Sequence, residues 1–415
     1  MKKSFHTVSC IVSCLLILCS GGLPCTVQAE TQLPVALSAA DVLSEELLKG
    51  NNYTIVDPVR NDGLINTYSL STSYGPIMVE STAQLMMRLG ELKAMQAMEE
   101  VDRKGIFGDA VIKGVKAPVQ TVVELVQEPV ETSKNIVKGA GRFFSNIGAS
   151  IVSDDPSQDN ALKVALGYDV AKRQFAFEFG IDPYTSYEPV VKELGEIARA
   201  ATAGGLTPKA VLVMVDTDLA MGLRISGTAK GLKELVRDKS PAELSKINQQ
   251  KLQKMGVAAN QIDAFMSNYN FNPQEKTLLV GELDTMKGVN DREIFLTVAS
   301  SATERTVAVY YRIVAQMMAG YHANIAPVER IVAIDGTLHI LTTGGTVALI
   351  APVDYVFRTA KLEKKIDKLN EGIAALEVKG GKEVWISGKI DGEALSMLTE
   401  RGWIVKENCS EVLIK

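Results

Sequence analysis

Four of the five cysteines, Cys10, Cys14, Cys19 and Cys25, crowd into the start of this 415-residue chain, and beyond them only Cys409 remains. The stretch that holds the four reads as a secretory signal peptide. Lys2 and Lys3 give it a positive beginning, and "VSCIVSCLLILCSGGLPC" an apolar centre too short and interrupted for a membrane span. Val27-Gln28-Ala29 then places compact residues where a signal peptidase reads them. Cys19 follows Leu18 and Cys25 follows Pro24, a poor fit to a lipid-accepting cysteine, and Gly21, Gly22 and Pro24 disfavour an uncleaved anchor. Cleavage after Ala29 and export, to a periplasmic or extracellular location, is the expectation. The mature chain then cannot close an intramolecular disulfide, so it has to be held by its hydrophobic core. Its length is ample for that, in two or three domains. Cys409 reads as a buried or idle thiol.

The hydrophobic pattern predicts an α+β fold, predominantly helical, with a small N-terminal antiparallel sheet plus helix, a central helical bundle and a C-terminal mixed α/β region. The expected divisions are a signal peptide over 1–29, a hairpin-plus-helix domain over 30–105, an amphipathic helical segment over 106–150, a helical domain over 151–327 and an α+β domain over 328–415. After a polar arm, "AADVLSEELLKG" reads as one short helix stopped by Gly50. Residues 53–80 then alternate with strand period, as in Leu64, Tyr68, Leu70 and Tyr74, with turns at Asn61-Asp62-Gly63 and Gly75-Pro76. Leu85, Leu89, Leu92 and Met95 form one stripe of a helix from Ser81 to about Arg103.

"SDDPSQDN" is the best boundary before a long helical stretch. Helices are expected over Ala161–Phe179 and from about Tyr187 to Ala203, and the apolar run after Pro208 is also read as helix. Ser240-Pro241-Ala242-Glu243 and Asn272-Pro273-Gln274-Glu275 each place a cap, a first-turn proline and a glutamate at N3, an unambiguous pair of helix starts. These two helices should stop near Gly256 and Gly288, and one long helix is expected from Asp291 to about Tyr321. Asp335-Gly336 between apolar alternations predicts a hairpin. Leu362, Ile366, Leu369, Ile373 and Leu376 predict one packed helix face, and the last thirty or so residues read strand, helix, strand.

Composition excludes several function classes. Loss of Lys2 and Lys3 moves the formal charge of −5 two further units to the negative side, which argues against a nucleic-acid binder. One cysteine and two distant histidines, His322 and His339, cannot fill a structural zinc cage. The sequence holds no HExxH, phosphate-binding GxxxxGK[ST], GxGxxG or GxSxG pattern, so no metal and no cofactor is expected. His339 is expected to be a half-exposed strand residue. His322, just past a long helix, is expected to meet the last helix carbonyls. Asp216 and Asp218 form the best acidic pair, and Asp354 stands at a strand end, but neither makes a constellation on its own.

The most specific feature left is the amphipathic stretch Ala117–Gly148. Its second half carries Lys134, Lys138 and Arg142 at every fourth position, with Phe143 and Phe144 on another face. Such a helix can pack into the protein's own core, the reading that any globular amphipathic helix shares, or lie in a membrane interface or against a partner, where the three cations would contribute roughly 3 kcal/mol near anionic lipid. The sequence therefore points to an exported interaction or structural protein without a catalytic site, meeting a membrane surface or another envelope protein, through residues 129–147. The alternative is a carboxylate-based or metal-assisted hydrolase using Asp216 and Asp218.

Overall fold

The alternating stretch near the N-terminus forms a sheet in which Tyr68 and Leu70 are buried as the period predicts, whereas Leu64 lies exposed before their strand and Tyr74 is half-buried in the turn after it. In the computed structural model, which describes residues 33–103, 160–204 and 227–414, five strands appear here: β1 (Val35–Leu37), β2 (Lys49–Gly50), β3 (Tyr53–Asn61), β4 (Asn66–Thr72) and β5 (Gly75–Glu80). They run antiparallel in the order β1-β3-β4-β5, with β2 also on β3. β1 comes from the arm expected to be irregular, and pairs with Val59–Asn61. The single helix expected before Gly50 is instead two single turns, α1 (Ala39–Val42) and α2 (Glu45–Leu48), because Leu43 and Ser44 take extended conformations between them. Serine at such a position serves a helix start better than a helix interior. Tyr53, Ile55, Tyr68, Leu70 and Val79 face inward onto Leu85, Leu89 and Leu92 of α3 (Thr82–Arg103).

Farther along α3, Met95 and Met98 join a second core with Phe175 of α4 (Asn160–Glu178) and Leu194 of α5 (Glu188–Gly204). The helical region continues as α6 (Gly227–Asp238), α7 (Pro241–Lys254), α8 (Ala259–Ser267), α9 (Pro273–Thr285), α10 (Arg292–Ala299) and α11 (Arg305–Asn324). Both capping boxes form: Ser240 and Asn272 accept from the backbone N–H three residues on, and Glu243 and Glu275 accept from the cap's own N–H. The long helix expected from Asp291 is two helices broken over 300–304. The amides of Asn268 and Asn270 explain the break, since they donate to the freed carbonyls of Ser300 and Ala302. A tertiary partner here outweighs continuous helical propensity.

The C-terminal region comprises β6 (Val328–Ile334), β7 (Thr337–Thr342), β8 (Val347–Ala351), β9 (Tyr355–Val356), α12 (Ala360–Ala374), β10 (Lys382–Ile386), β11 (Lys389–Ile390), α13 (Gly392–Glu400), β12 (Trp403–Lys406) and α14 (Ser410–Leu413). Its main sheet runs β12-β10-β8-β7-β6, antiparallel through β6-β7-β8 and parallel through β8-β10-β12. Asp335 and Gly336 both take positive φ in the hairpin turn, as a two-residue loop with the sheet's twist requires. Ile366, Leu369 and Ile373 of α12 are buried on one face. The other face of the sheet shares a core with the helices: Ile331, Ile340 and Trp385 pack with Leu279 and Met317. At Gly320 of α11 an added Cβ would lie 1.9 Å from the Leu413 carbonyl oxygen, so α11 and α14 meet backbone to backbone.

That double coverage corrects the reading of His339. It is wholly buried, because both faces of β7 are packed, and its Nδ1 meets the Thr337 carbonyl at 2.9 Å. Burial pushes its pKa down to about 4. His322 does not meet the last helix carbonyls. Its Nδ1 accepts from the Val328 N–H at 3.1 Å, tying the end of α11 to the start of β6. Cys409 is buried, and burial pushes its thiol up.

Asp354 turns out to be a structural clasp between the N-terminal hairpin and the C-terminal region. Its carboxylate accepts from the Asn66 N–H at 2.8 Å and the Thr82 N–H at 2.9 Å. Its own N–H donates to the Leu64 carbonyl, Phe357 N–H donates to Gly63, and Asn61 Nδ2 donates to the Tyr355 carbonyl. These bonds fix the start of α3 and the end of β5, which border the cleft described next. Among the described residues, no helix is long and apolar enough to cross a membrane.

Candidate functional site: a polar cleft backed by buried ion pairs

The sequence places an aspartate-proline turn after α4, a capped proline at the start of α9 and an arginine at the start of α11. Folding brings these three chain segments together. Asp182 Oδ1 accepts from the Tyr184 N–H, which shapes the turn, and its Oδ2 accepts from Asn272 Nδ2 at 2.5 Å. The Arg305 Nη2 lies 3.3 Å from Asp182 Oδ2 and 3.3 Å from Glu275 Oε1. Only the first of these contacts has hydrogen-bond geometry; Glu275 Oε1 has no hydrogen-bond partner, while the other oxygen caps α9. Both carboxylates are almost fully buried, and Arg305 keeps a third of its side chain exposed.

Burial sets the electrostatics. It pushes Glu275 up to about 7, with the Arg305 charge opposing it only in part, and pushes Asp182 upward as well. Glu282, two turns along α9, is pushed to about 7 by burial against the pull of Arg312. Removing a charge from water costs several kcal/mol, and a partner in the interior returns only part of it. This explains why carboxyls beside arginines still hold their protons more tightly than usual.

α3 supplies a second unit of the same design. Arg88 Nη1 is 2.6 Å from Glu91 Oε2, and the Arg88 guanidinium lies 3.8 Å above the Tyr187 ring. Glu91 is buried, which raises its pKa against the opposing charge of Arg88, and it also accepts a hydrogen bond from the Thr185 hydroxyl.

Between these units opens a cleft of about 300 Å³. β5 borders it with Met78, Val79 and Glu80, α3 with Gln84, Met87, Arg88 and Glu91, and the loop before α5 with Thr185 and Ser186. Glu304, Arg305, Thr306 and Val309 close the far side. Its volume is at the small end for ligand sites. Arg88 is paired with Glu91 and Arg305 with Asp182, which restricts both guanidinium groups where they border the cleft. Glu80 and Glu304 stand exposed at the rim. The arrangement can grip a carboxylate and accept from nearby donors. Asp182 and Glu275, which burial perturbs strongly, lie behind Arg305 and do not line the cleft.

Lys134, Lys138, Arg142, Phe143 and Phe144, and also Asp216 and Asp218, fall outside the described residues. Among the described residues, no group of three or more His, Cys, Asp and Glu could hold a metal ion. Arg88, Glu91, Asp182 and Arg305 carry no motif. Only Glu275 had a sequence signal, the capping box, and that signal concerned helix initiation. No protein-family model matches the chain, and no curated protein or solved structure does either.

Proposed function

We propose that this is an exported, non-catalytic interaction protein and that the cleft between β5, α3 and the start of α11 receives a carboxylate of its partner. One observation carries this reading. Arg88 and Arg305 border the same cleft, each pinned by a buried acid, at 2.6 Å for Arg88–Glu91 and 3.3 Å for Arg305–Asp182. Preorganised guanidinium groups are the usual means of recognising carboxylates with defined geometry. Export rests on the N-terminal leader. Contact with a membrane face or another envelope protein through 129–147 rests on the amphipathic pattern there.

N-acetylaspartate is a suitable probe. Titration followed by NMR should give saturable shifts of the Arg88 and Arg305 Nε–H signals, with no response to acetamide. Equal responses to both probes, or none to N-acetylaspartate at tens of millimolar, would refute a carboxylate site. Cosedimentation of the mature protein with anionic vesicles, lost on deleting 129–147, would support the membrane contact. Undiminished cosedimentation of the deletion variant would sink it.

A further inference from the structure

The cleft has one wall that a small-molecule site does not need. β5 is the last strand of its sheet, with no strand beyond it among the described residues. Its ladder to β4 determines which backbone groups point outward. The Ser81 N–H donates to the Asn66 carbonyl, and Pro76 stands opposite Ser71. In an antiparallel pair, hydrogen-bonded and non-hydrogen-bonded positions alternate. Val79 opposite Tyr68 and Ile77 opposite Leu70 are therefore bonded to β4, whereas Met78 and Glu80 direct their N–H and C=O groups away from it. Proline at 76 fits this phase, since its missing N–H would have pointed outward.

The cleft runs along that open edge. Val79 is buried on the core face and Met78 and Glu80 are exposed on the other, yet all three border it. Thr67 of β4, opposite Glu80, borders it as well, so the cleft spans the end of β5 and its neighbouring strand. Met78 is 73 % exposed, which leaves its backbone accessible along the edge.

We infer that the edge of β5 takes an extended peptide segment carrying an acidic side chain, added to the sheet as one more strand. The inference rests on the reading of the cleft as a partner site. Main-chain bonds to Met78 and Glu80 hold the segment in place. Alternate side chains of the segment then point to opposite faces. Those on the α3 side meet Arg88 and Arg305, which selects an acid there. Those on the other side lie beside Met78 and Glu80, which selects polar or basic residues. Pro76 limits the new ladder to a short stretch and keeps the edge from pairing along its whole length. The partner is thus a short extended segment, and the binding is weak and reversible.

The test uses the mature protein and the peptide acetyl-Thr-Asp-Thr-Val-Thr-amide. Fluorescence anisotropy of a labelled peptide measures affinity, and hydrogen exchange reads the Met78 and Glu80 amides. Binding should slow exchange at those two amides. Replacing the peptide's Asp by Asn should weaken binding roughly tenfold or more, the usual effect of losing a charge-assisted bond. Met78→Pro removes one outward N–H and no bond to β4, so it should abolish peptide binding. Because proline also restricts the strand backbone, a peptide N-methylated at alternate amides applies the same test to the unaltered protein, and one of its two phases should fail to bind. Peptide binding that survives both Met78→Pro and both methylation phases overturns strand addition. A protein that binds N-acetylaspartate but not the peptide overturns it too, and leaves the carboxylate site standing. If sedimentation shows a dimer that Met78→Pro converts to monomer, the occupant is a second copy of the chain, and the inference fails.

Discussion

Replacing Glu275 by glutamine should change how stability depends on pH, in a direction opposite to the usual rule for carboxylates. In the folded chain Glu275 titrates at about 7, against an ordinary 4.5 in the unfolded chain. Between those values the folded state holds a proton that the unfolded state releases. The stabilisation is complete below pH 4.5 and is lost as pH rises through about 7. At about 1.4 kcal/mol per tenfold change in proton activity, the loss amounts to about 3 kcal/mol. Glutamine keeps the shape, can still accept the Asn272 N–H that caps α9, and does not titrate. Its removal of charge also leaves Arg305 wholly to Asp182, which lowers the raised Asp182 pKa and removes more of the same slope. Urea unfolding of wild type and Glu275→Gln, from below pH 4.5 to above 7, gives the difference directly. Wild type should lose about 3 kcal/mol relative to the variant over that interval. The comparison between the two proteins is needed because His339 contributes the opposite slope in both. Parallel stability curves would mean that Glu275 titrates alike in the folded and unfolded chains, and that burial does not dominate its pair with Arg305.

Three further outcomes follow from the geometry. Asp354→Ala strands the Asn66 and Thr82 N–H groups, each at a cost of about 1–3 kcal/mol, so chemical denaturation should show a loss of several kcal/mol and Asp354→Asn a smaller one. The Cε1 proton of His339 should stay at its neutral NMR position down to about pH 4; its depressed pKa contributes stability above 6.5 that is lost as pH falls through about 4, and a midpoint near 6.5 would contradict the burial argument. Gly320→Ala puts a methyl into the Leu413 carbonyl, an overpacking that costs typically 1–3 kcal/mol. It should displace α14 and make the adjacent Cys409 thiol react with Ellman's reagent under native conditions, where wild type reacts only on unfolding.

Much of the secondary structure was legible because its causes are local. The Ser240 and Asn272 capping boxes, the Asp335-Gly336 hairpin, the Leu85–Met95 stripe and the face of α12 each depend on residues a few positions apart, and each formed as its spacing requires. The misreadings came where distant residues intervened. Ser300, Ser301 and Thr303 are a weak local signal for a break at 300–304, and the groups that stabilise it, the amides of Asn268 and Asn270, lie outside 291–321. Strand period alone left His339 half-exposed; the second layer over β7 buried it. The cleft was not legible at all. Arg88, Asp182, Glu275 and Arg305 lie on four segments, and only their packing makes two arginines share a cavity with an open strand edge. The sequence by itself determined the local elements. Tertiary structure decided which charges are buried, which backbone edge is open and how the two adjoin. Helix and strand periods act over one or two turns of chain, whereas desolvation and ion pairing act through space and depend on neighbours that the order of residues does not reveal.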